Sequence, residues 1–488
     1  MMFPVRLLIG IAVFVGIDMP QARADDKAKK PESPGPVSYY RDIRRIFQQQ
    51  CQGCHQPAKA QGGYVMTNYG NLLEKANSGE AGIVPGKPEV SLLVRQVSGQ
   101  GGKKPAMPKG RDPLSERDVA LIKKWIAQGA KDDAPSSARE AVDEKHPPVY
   151  LLPPVITSLD YSPDGRFLVV SGYHEILIHT ADGSSLVARL IGLSERIESI
   201  AFSPDGKFLA AAGGDPGRFG EIQVWDVEHR KLKLSVPVTY DTLFGVSWSP
   251  DGSKIAFGCT DNTLRAIDAK SGKQVLFQGA HSDWVLNTVF STDASHLVSV
   301  SRDRSMKLTE VATQRFVDNI TSITPGALKG GLMTVARHPK KEELLIGGAD
   351  GVPKIYRMHR EKKRVIGDDF NLIKGFEPMP GRIFSARFSP DAGRIVLGSS
   401  FEGKGEVRVY QSADGKLVSK LMIATGGVFT VAYRADGKQI ASAGFDGLVR
   451  LSDPDTGRVV REFVPVPLTG ANVARQSKPE YPVLIISD

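Results

Sequence analysis

The chain has 488 residues, 41% of them hydrophobic and 24% charged, with a formal net charge of +9. That length exceeds what one ordinary hydrophobic core serves, so at least two domains are expected, and the composition is neither disordered nor collagen-like. Three cysteines exclude a disulfide-stapled scaffold. No apolar run reaches the ~20 residues that a spanning helix needs, which excludes a multi-span integral membrane protein.

The first residues carry a basic Arg6, a short apolar stretch from Leu7 to Ile17, and an A-x-A site at Ala22-Arg23-Ala24. This pattern predicts a secretory signal peptide over residues 1–24, removed before Asp25, against the alternatives of a buried first strand or an uncleaved anchor. A periplasmic or otherwise exported protein is expected. The signal carries +1 (Arg6 and Arg23 against Asp18), which leaves +8 on the mature chain. That charge is too mild and too scattered to indicate nucleic acid, and no interleaved aromatic and basic motif accompanies it.

Residues 25–37 are charged and proline-rich and read as a flexible leader. A helix is expected next, with Ser38 as its cap and Ile43, Ile46 and Phe47 on one face. It runs into Cys51-Gln52-Gly53-Cys54-His55, a C-x-x-C-H motif. The spacing suits haem c: two thiols reach two vinyl groups on one edge of the porphyrin, and the adjacent imidazole reaches the iron. A thioredoxin-like redox pair, half a zinc site and a structural disulfide compete with this reading. The first needs a βαβ setting, and zinc needs further ligands, whereas the domain has no other cysteine or histidine.

A sixth iron ligand would be a methionine downstream. Met66 and Met107 are the candidates. Met107 is preferred because it lies in a proline-braced loop, Pro105-Ala106-Met107-Pro108, which can hold a weak thioether–iron bond at little entropic cost. Either methionine could instead fill the core. The middle of the domain, Gly62 to Gly110, is rich in Gly, Pro and Lys. A closing helix then begins at Ser115, with Asp118 as the partner of a capping box. Val119, Ile122, Trp125 and Ile126 form its apolar stripe, and Gly129 stops it. Lys103, Lys104, Lys109 and Arg111 surround Met107. They could steer an acidic redox partner or simply keep the loop soluble.

From Tyr39 to about Asp133 the sequence resembles the small cytochrome c domains fused to larger domains in planctomycete-type and related bacteria. Arg41-Asp42-Ile43, Ile83-Val84-Pro85-Gly86 with Pro88 and Ser91-Leu92-Leu93, Met107-Pro108 and Trp125-Ile126-Ala127-Gln128-Gly129-Ala130 carry the likeness. The resemblance implies one covalent haem on Cys51 and Cys54, with His55 proximal and Met107 distal, and a Ser-Leu-Leu helix lining the pocket. A small all-α cytochrome c domain is thus expected over residues 38–134, followed by a polar linker over 135–148.

Short β-branched runs then alternate with turns: Ser162-Pro163-Asp164-Gly165, Ser203-Pro204-Asp205-Gly206 and Ser249-Pro250-Asp251-Gly252. Degenerate copies follow at Ser291-Thr292-Asp293, His338-Pro339, Ser389-Pro390-Asp391 and Arg434-Ala435-Asp436-Gly437. The first four aspartates, at 164, 205, 251 and 293, step by forty-odd residues, the period of a four-stranded propeller blade. Seven such turns predict an all-β, seven-bladed propeller over residues 149–468, with residues 469–488 as a C-terminal tail. The spelling resembles the WD-repeat family. Trp225-Asp226 closes one third strand, and His281, Ser299 and Asp303 are part of the family's hydrogen-bond network. Ring closure is open between a strand near Val149 to Leu152 and the last residues.

No catalytic constellation is found in the propeller region. His174 and His179 share a blade but read as structural, and Cys259 reads as a buried small hydrophobe. Two functions remain. In one, the chain is an exported c-type cytochrome with a His/Met haem for electron transfer, and the propeller binds a protein or polymer. In the other, it is a haem-c-dependent periplasmic oxidoreductase whose propeller holds a substrate or second cofactor, an analogy of architecture alone.

Overall fold

A computed structural model of the chain describes residues 35–99, 104–135, 142–279, 281–322, 329–365 and 367–469. The expected signal peptide, Lys103 and the C-terminal tail beyond residue 469 lie outside the described residues.

The N-terminal region is helical. A wide π-type turn over Tyr39–Ile43 leads into α1 (Arg44–Gln50), and the Ser38 hydroxyl accepts from the Arg41 N–H as its cap. Three further helices follow: α2 (Tyr69–Leu72), α3 (Leu92–Val97) and α4 (Glu116–Ala127). Ser115 caps α4 by accepting from the Asp118 N–H, and Gly129 ends it with a φ of 94°. Ile43, Phe47, Ile122, Trp125 and Ile126 are buried together, as the apolar stripes require. Tyr39 stacks on Trp125 at 5.4 Å, and Phe47 meets the same indole edge-on at 6.3 Å. The all-α expectation needs one correction. The chain turns back after the cysteine motif as a two-strand ladder, β1 (His55–Gln56) with β2 (Lys59–Ala60), pairing His55 with Ala60.

The remainder is antiparallel β. In the first sheet β3 (Leu159–Tyr161), β4 (Phe167–Ser171), β5 (Tyr173–Thr180), β6 (Leu186–Phe202), β7 (Phe208–Asp215), β8 (Phe219–Asp226) and β9 (Lys231–Thr239) neighbour one another in sequence order. Five four-stranded sheets follow, over 243–278, 285–319, 332–375, 382–423 and 428–463. The seven-stranded sheet is two four-stranded units that share β6. Its 17 residues contain no proline, and the chain passes from one unit to the next within this one strand, with a register shift where its pairing with β5 jumps from Ile191 to Arg196.

The turns are built as their residues dictate. In Ser162-Pro163-Asp164-Gly165 the serine hydroxyl donates to the aspartate at 2.6 Å and accepts from the Phe167 N–H at 2.9 Å, while Asp164 accepts from the Arg166 N–H at 3.0 Å. The same bonds recur at Ser203, Ser249, Ser291 and Ser389. Gly165, Gly206 and Gly252 occupy the left-handed position, and Ala294 and Ala392 stand there in the degenerate copies at φ 60° and 64°.

The last sheet meets the first. Ile156 donates to Gly444 O at 2.9 Å, Leu159 N donates to Thr430 Oγ1 at 3.1 Å, and Ala432, Ala441 and Leu451 share a core with Leu159 and Leu168. The segment from Val149 to Leu152 adds no strand. Tyr150 makes a single parallel bridge to Leu468.

Candidate functional site

The end of α1 delivers the cysteine motif. Cys51 N donates to Phe47 O at 2.9 Å, and the Cys54 and His55 amides both donate to Cys51 O at 3.1 Å. This tight turn brings both thiols and the imidazole to one side. Side chains lock it: Gln52 donates to Met66 O at 2.8 Å and Gln56 to Gln52 O at 3.0 Å. The two cysteines are not bonded to each other. Burial pushes the Cys51 thiol up to about 12, against the pull of Arg111.

His55 Nδ1 lies 3.0 Å from Tyr64 O. A carbonyl only accepts, so Nδ1 donates to it, and in the neutral ring this leaves the Nε2 lone pair for a metal, the usual outer-shell arrangement of a ligating histidine. Tyr64 is fixed in turn. Its hydroxyl donates to Leu72 O at 2.6 Å, and a Cβ on Gly82 would fall 2.0 Å from that hydroxyl. Tyr64 is the contributor that the sequence does not reveal, because its role is played by a backbone carbonyl.

Cys51, Cys54, His55, Met66 and Met107 all line one cavity of about 330 Å³. Its walls are otherwise mostly apolar, with Tyr64, Ala76, Leu92, Leu93 and Val97. The volume lies within the range of small-molecule and cofactor sites. The expected pocket-lining role of the Ser-Leu-Leu segment is met by Leu92 and Leu93, on and beside which Ser91 holds the preceding turn by donating to Lys87 O at 2.9 Å. Met66 is 2% exposed and follows a backbone bond to His55 O at 2.8 Å. Met107 is half-buried, its N–H donating to Gln96 O at 3.0 Å. Two thiols, an imidazole with a free Nε2 and two thioethers around an apolar cavity form a donor set that fits a covalently held haem. Lys104, Lys109 and Arg111 are exposed, and Lys109 and Arg111 stand at the cavity's rim.

The wall includes one residue from the β region: Ser235 of β9. Elsewhere that region carries its expected structural groups. His281 Nδ1 bonds Asp303 at 2.9 Å and its Nε2 bonds Ser299 at 2.8 Å. His179 Nε2 meets Pro465 O at 2.9 Å, and burial lowers its pKa. Burial likewise lowers His174. These two histidines do not converge on a shared ligand site. Cys259 is fully buried and its thiol is pushed up to about 12. A second cavity of about 290 Å³ lies among the first strands of the sheets. It contains Glu198, whose pKa burial raises, and Arg387, whose pKa burial lowers. Among the described residues, no group of three or more His, Cys, Asp or Glu side chains forms a metal cluster, and no helix is long and apolar enough to cross a membrane.

Comparisons with known proteins agree with this division. The family model described as Planctomycete cytochrome C matches residues 51–110. The model for the WD domain, G-beta repeat, matches residues 184–217, 235–268, 272–309 and 415–453. Periodic tryptophan protein 2 of Arabidopsis thaliana is 24% identical over 241 residues, 49% of this chain and 25% of that protein. The WD repeat-containing protein 26 homolog of the same plant is 23% identical over 303 residues, 60% of this chain and 47% of that protein. WD repeat and SOCS box-containing protein 1 of Mus musculus is 35% identical over 91 residues, 18% of this chain and 22% of that protein. The chain spans less than half the length of these relatives. It joins a cytochrome c-like domain to a WD-repeat region.

Proposed function

We propose that this chain is an exported c-type cytochrome that carries one covalent haem and uses a seven-bladed WD propeller as a scaffold for a protein or polymer. Cys51 and Cys54 would hold the porphyrin through thioethers, and His55 Nε2 and Met107 would bind its iron. The observation that carries this reading is the His55 ring, anchored through Nδ1 to Tyr64 O in the cavity that also takes both thiols. The chemistry that a haem held by these residues would supply is the transfer of single electrons. Tyr64 fixes the imidazole, Gln52 ties the attachment turn to the segment before α2, and Leu92, Leu93 and Val97 wall the cavity with apolar surface.

Export supplies the compartment in which haem c is attached, and the pattern of residues 1–24 supports it. The exposed Lys104, Lys109 and Arg111 favour an acidic redox partner. Seven turn copies and the seven four-stranded units obtained by counting β6 twice support the blade number. A second reading, an oxidoreductase with substrate in the propeller, draws on the cavity that holds Glu198 and Arg387. The test is a pigment and metal inventory of protein exported from a host that attaches haem c. One haem per chain, retained after acid–acetone extraction, is expected. Colourless protein, or zinc bound in place of iron, would overturn the proposal. A second pigment or a bound small molecule would favour the oxidoreductase.

A further inference from the structure

The cysteine motif does not face open solvent. It packs against the free edge of β9, the outermost strand of its sheet. An edge strand presents unpaired backbone groups that folded proteins cover or blunt, and Pro237 within β9 fits an edge because it has no N–H to pair. Here the cytochrome-like domain is the cover. Gln49 at the end of α1 donates from Nε2 to Thr239 O at 3.1 Å, and Lys59 in β2 donates from Nζ to Lys233 O at 2.5 Å. Between them lies Gly53, inside the cysteine motif. A Cβ there would sit 2.4 Å from Ser235 O and 3.2 Å from Pro237 Cδ. The φ of Gly53 is not positive, so closeness rather than backbone conformation demands the glycine. Three alternate carbonyls of one edge, at 233, 235 and 239, thus face the loop that carries the two thiols.

The wall is held from behind. Ser235 Oγ donates to the buried Glu221 carboxylate, which also accepts from Ser194 Oγ at 2.8 Å and Gln223 Nε2 at 2.6 Å. Gln223 in turn accepts from Trp225 Nε1 at 3.0 Å, so the tryptophan of the Trp-Asp pair anchors the chain. Resting on the haem reading above, we propose that β9 is a built wall of the haem crevice. The WD-repeat region covers the attachment edge of the porphyrin and, by keeping water from it, raises the reduction potential. Oxidised haem carries one more positive charge than reduced haem, so water at its edge favours the oxidised form. Glu221 is a positioning residue in this scheme, because it fixes Ser235 and touches no reacting atom.

The test opens the wall without altering a ligand. Gly53→Val keeps the C-x-x-C-H spacing and forces β9 away. Gln49→Ala combined with Lys59→Ala removes the two flanking hydrogen bonds and keeps the test available if the valine variant does not fold. Midpoint potential by redox titration and hydrogen exchange of residues 231–239 are measured on the full chain. Faster exchange in that segment together with a shift to lower potential is the expected result. Faster exchange with an unchanged potential would show a mere packing contact and overturn the proposal, as would unchanged exchange in both variants. Exchange of the same segment in the Cys51→Ala, Cys54→Ala protein reports docking without any pigment. A protein that lacks haem therefore defeats the functional reading separately from the docking arrangement.

Discussion

The two regions of this molecule solve opposite problems. The cytochrome-like domain is assembled from short, dissimilar elements around a cavity, and each of its key groups occurs once. The β region repeats one solution, a serine–aspartate turn joining short strands, so that no single copy is decisive. Damage should therefore be felt differently in the two. Single-copy chemistry should fail all at once, whereas repeated turn chemistry should fail in small steps.

The largest effect is expected at the attachment loop. Cys51→Ala with Cys54→Ala should abolish covalent haem, read as loss of the pyridine haemochrome band in denatured protein. Retained covalent pigment would remove the contrast between the regions. The two methionines sharpen it. Met66 is buried in the core, so Met66→Ala should cost about 2–5 kcal/mol in urea unfolding and leave the haem spectrum nearly intact. Met107→Ala should do the reverse, with haem still attached but its iron open to added ligands such as cyanide or carbon monoxide, and with a lower potential. Exchange of these outcomes would hand the axial role to Met66.

Within the β region, the strongest single effect should come from the least repeated network. His281→Ala should cost about 2–3 kcal/mol, because Asp303 and Ser299 lose a buried partner. Burial works against ionisation of Asp303, but the His281 bond and charge, the Ser305 hydroxyl and the Ser282 N–H outweigh it and hold the carboxyl well below its ordinary range. Asp251, bonded by the hydroxyls of Ser249 and Ser253 and the Ser253 N–H, is lowered to about 2. A folded carboxyl below its unfolded value contributes stability that is complete above the ordinary value near 4 and is lost as pH falls through the folded one. Unfolding midpoints should therefore drop between about pH 4 and pH 2, and less steeply in Asp303→Asn.

How much of this was legible in the sequence follows the same division. The C-x-x-C-H spacing, the Ser38 and Ser115 caps and the stripe of α4 could be read because they are local. The turns could be read because repetition multiplies a weak signal. Three things could not be read. The His55–Tyr64 bond runs to a backbone carbonyl and leaves no mark on residue identity. The gathering of both methionines at one cavity depends on how α3 and the Met107 loop return. The docking on β9 joins residues nearly two hundred positions apart, and its only trace is a glycine inside a motif whose spacers vary freely. The continuity of β6 was hidden for a related reason, because Gly192 and Ser194 in its passage between units read as a turn.

The smallest expected effect probes the repeats alone. Ala294 and Ala392 hold the left-handed turn position that glycine takes in the complete copies. An L side chain there costs roughly 1–2 kcal/mol, while glycine loses ~0.5–1 kcal/mol more backbone entropy on folding than alanine does. Ala294→Gly and Ala392→Gly should each stabilise the β region by about 0.5 kcal/mol, and their effects should add, since the two turns belong to different sheets. Chemical unfolding followed by the far-ultraviolet signal of the strands measures this, with no change expected in the haem spectrum. A destabilising glycine would mean that the alanine methyl packs usefully in these turns, and the degenerate copies would then be local solutions of their own rather than worn versions of the complete one.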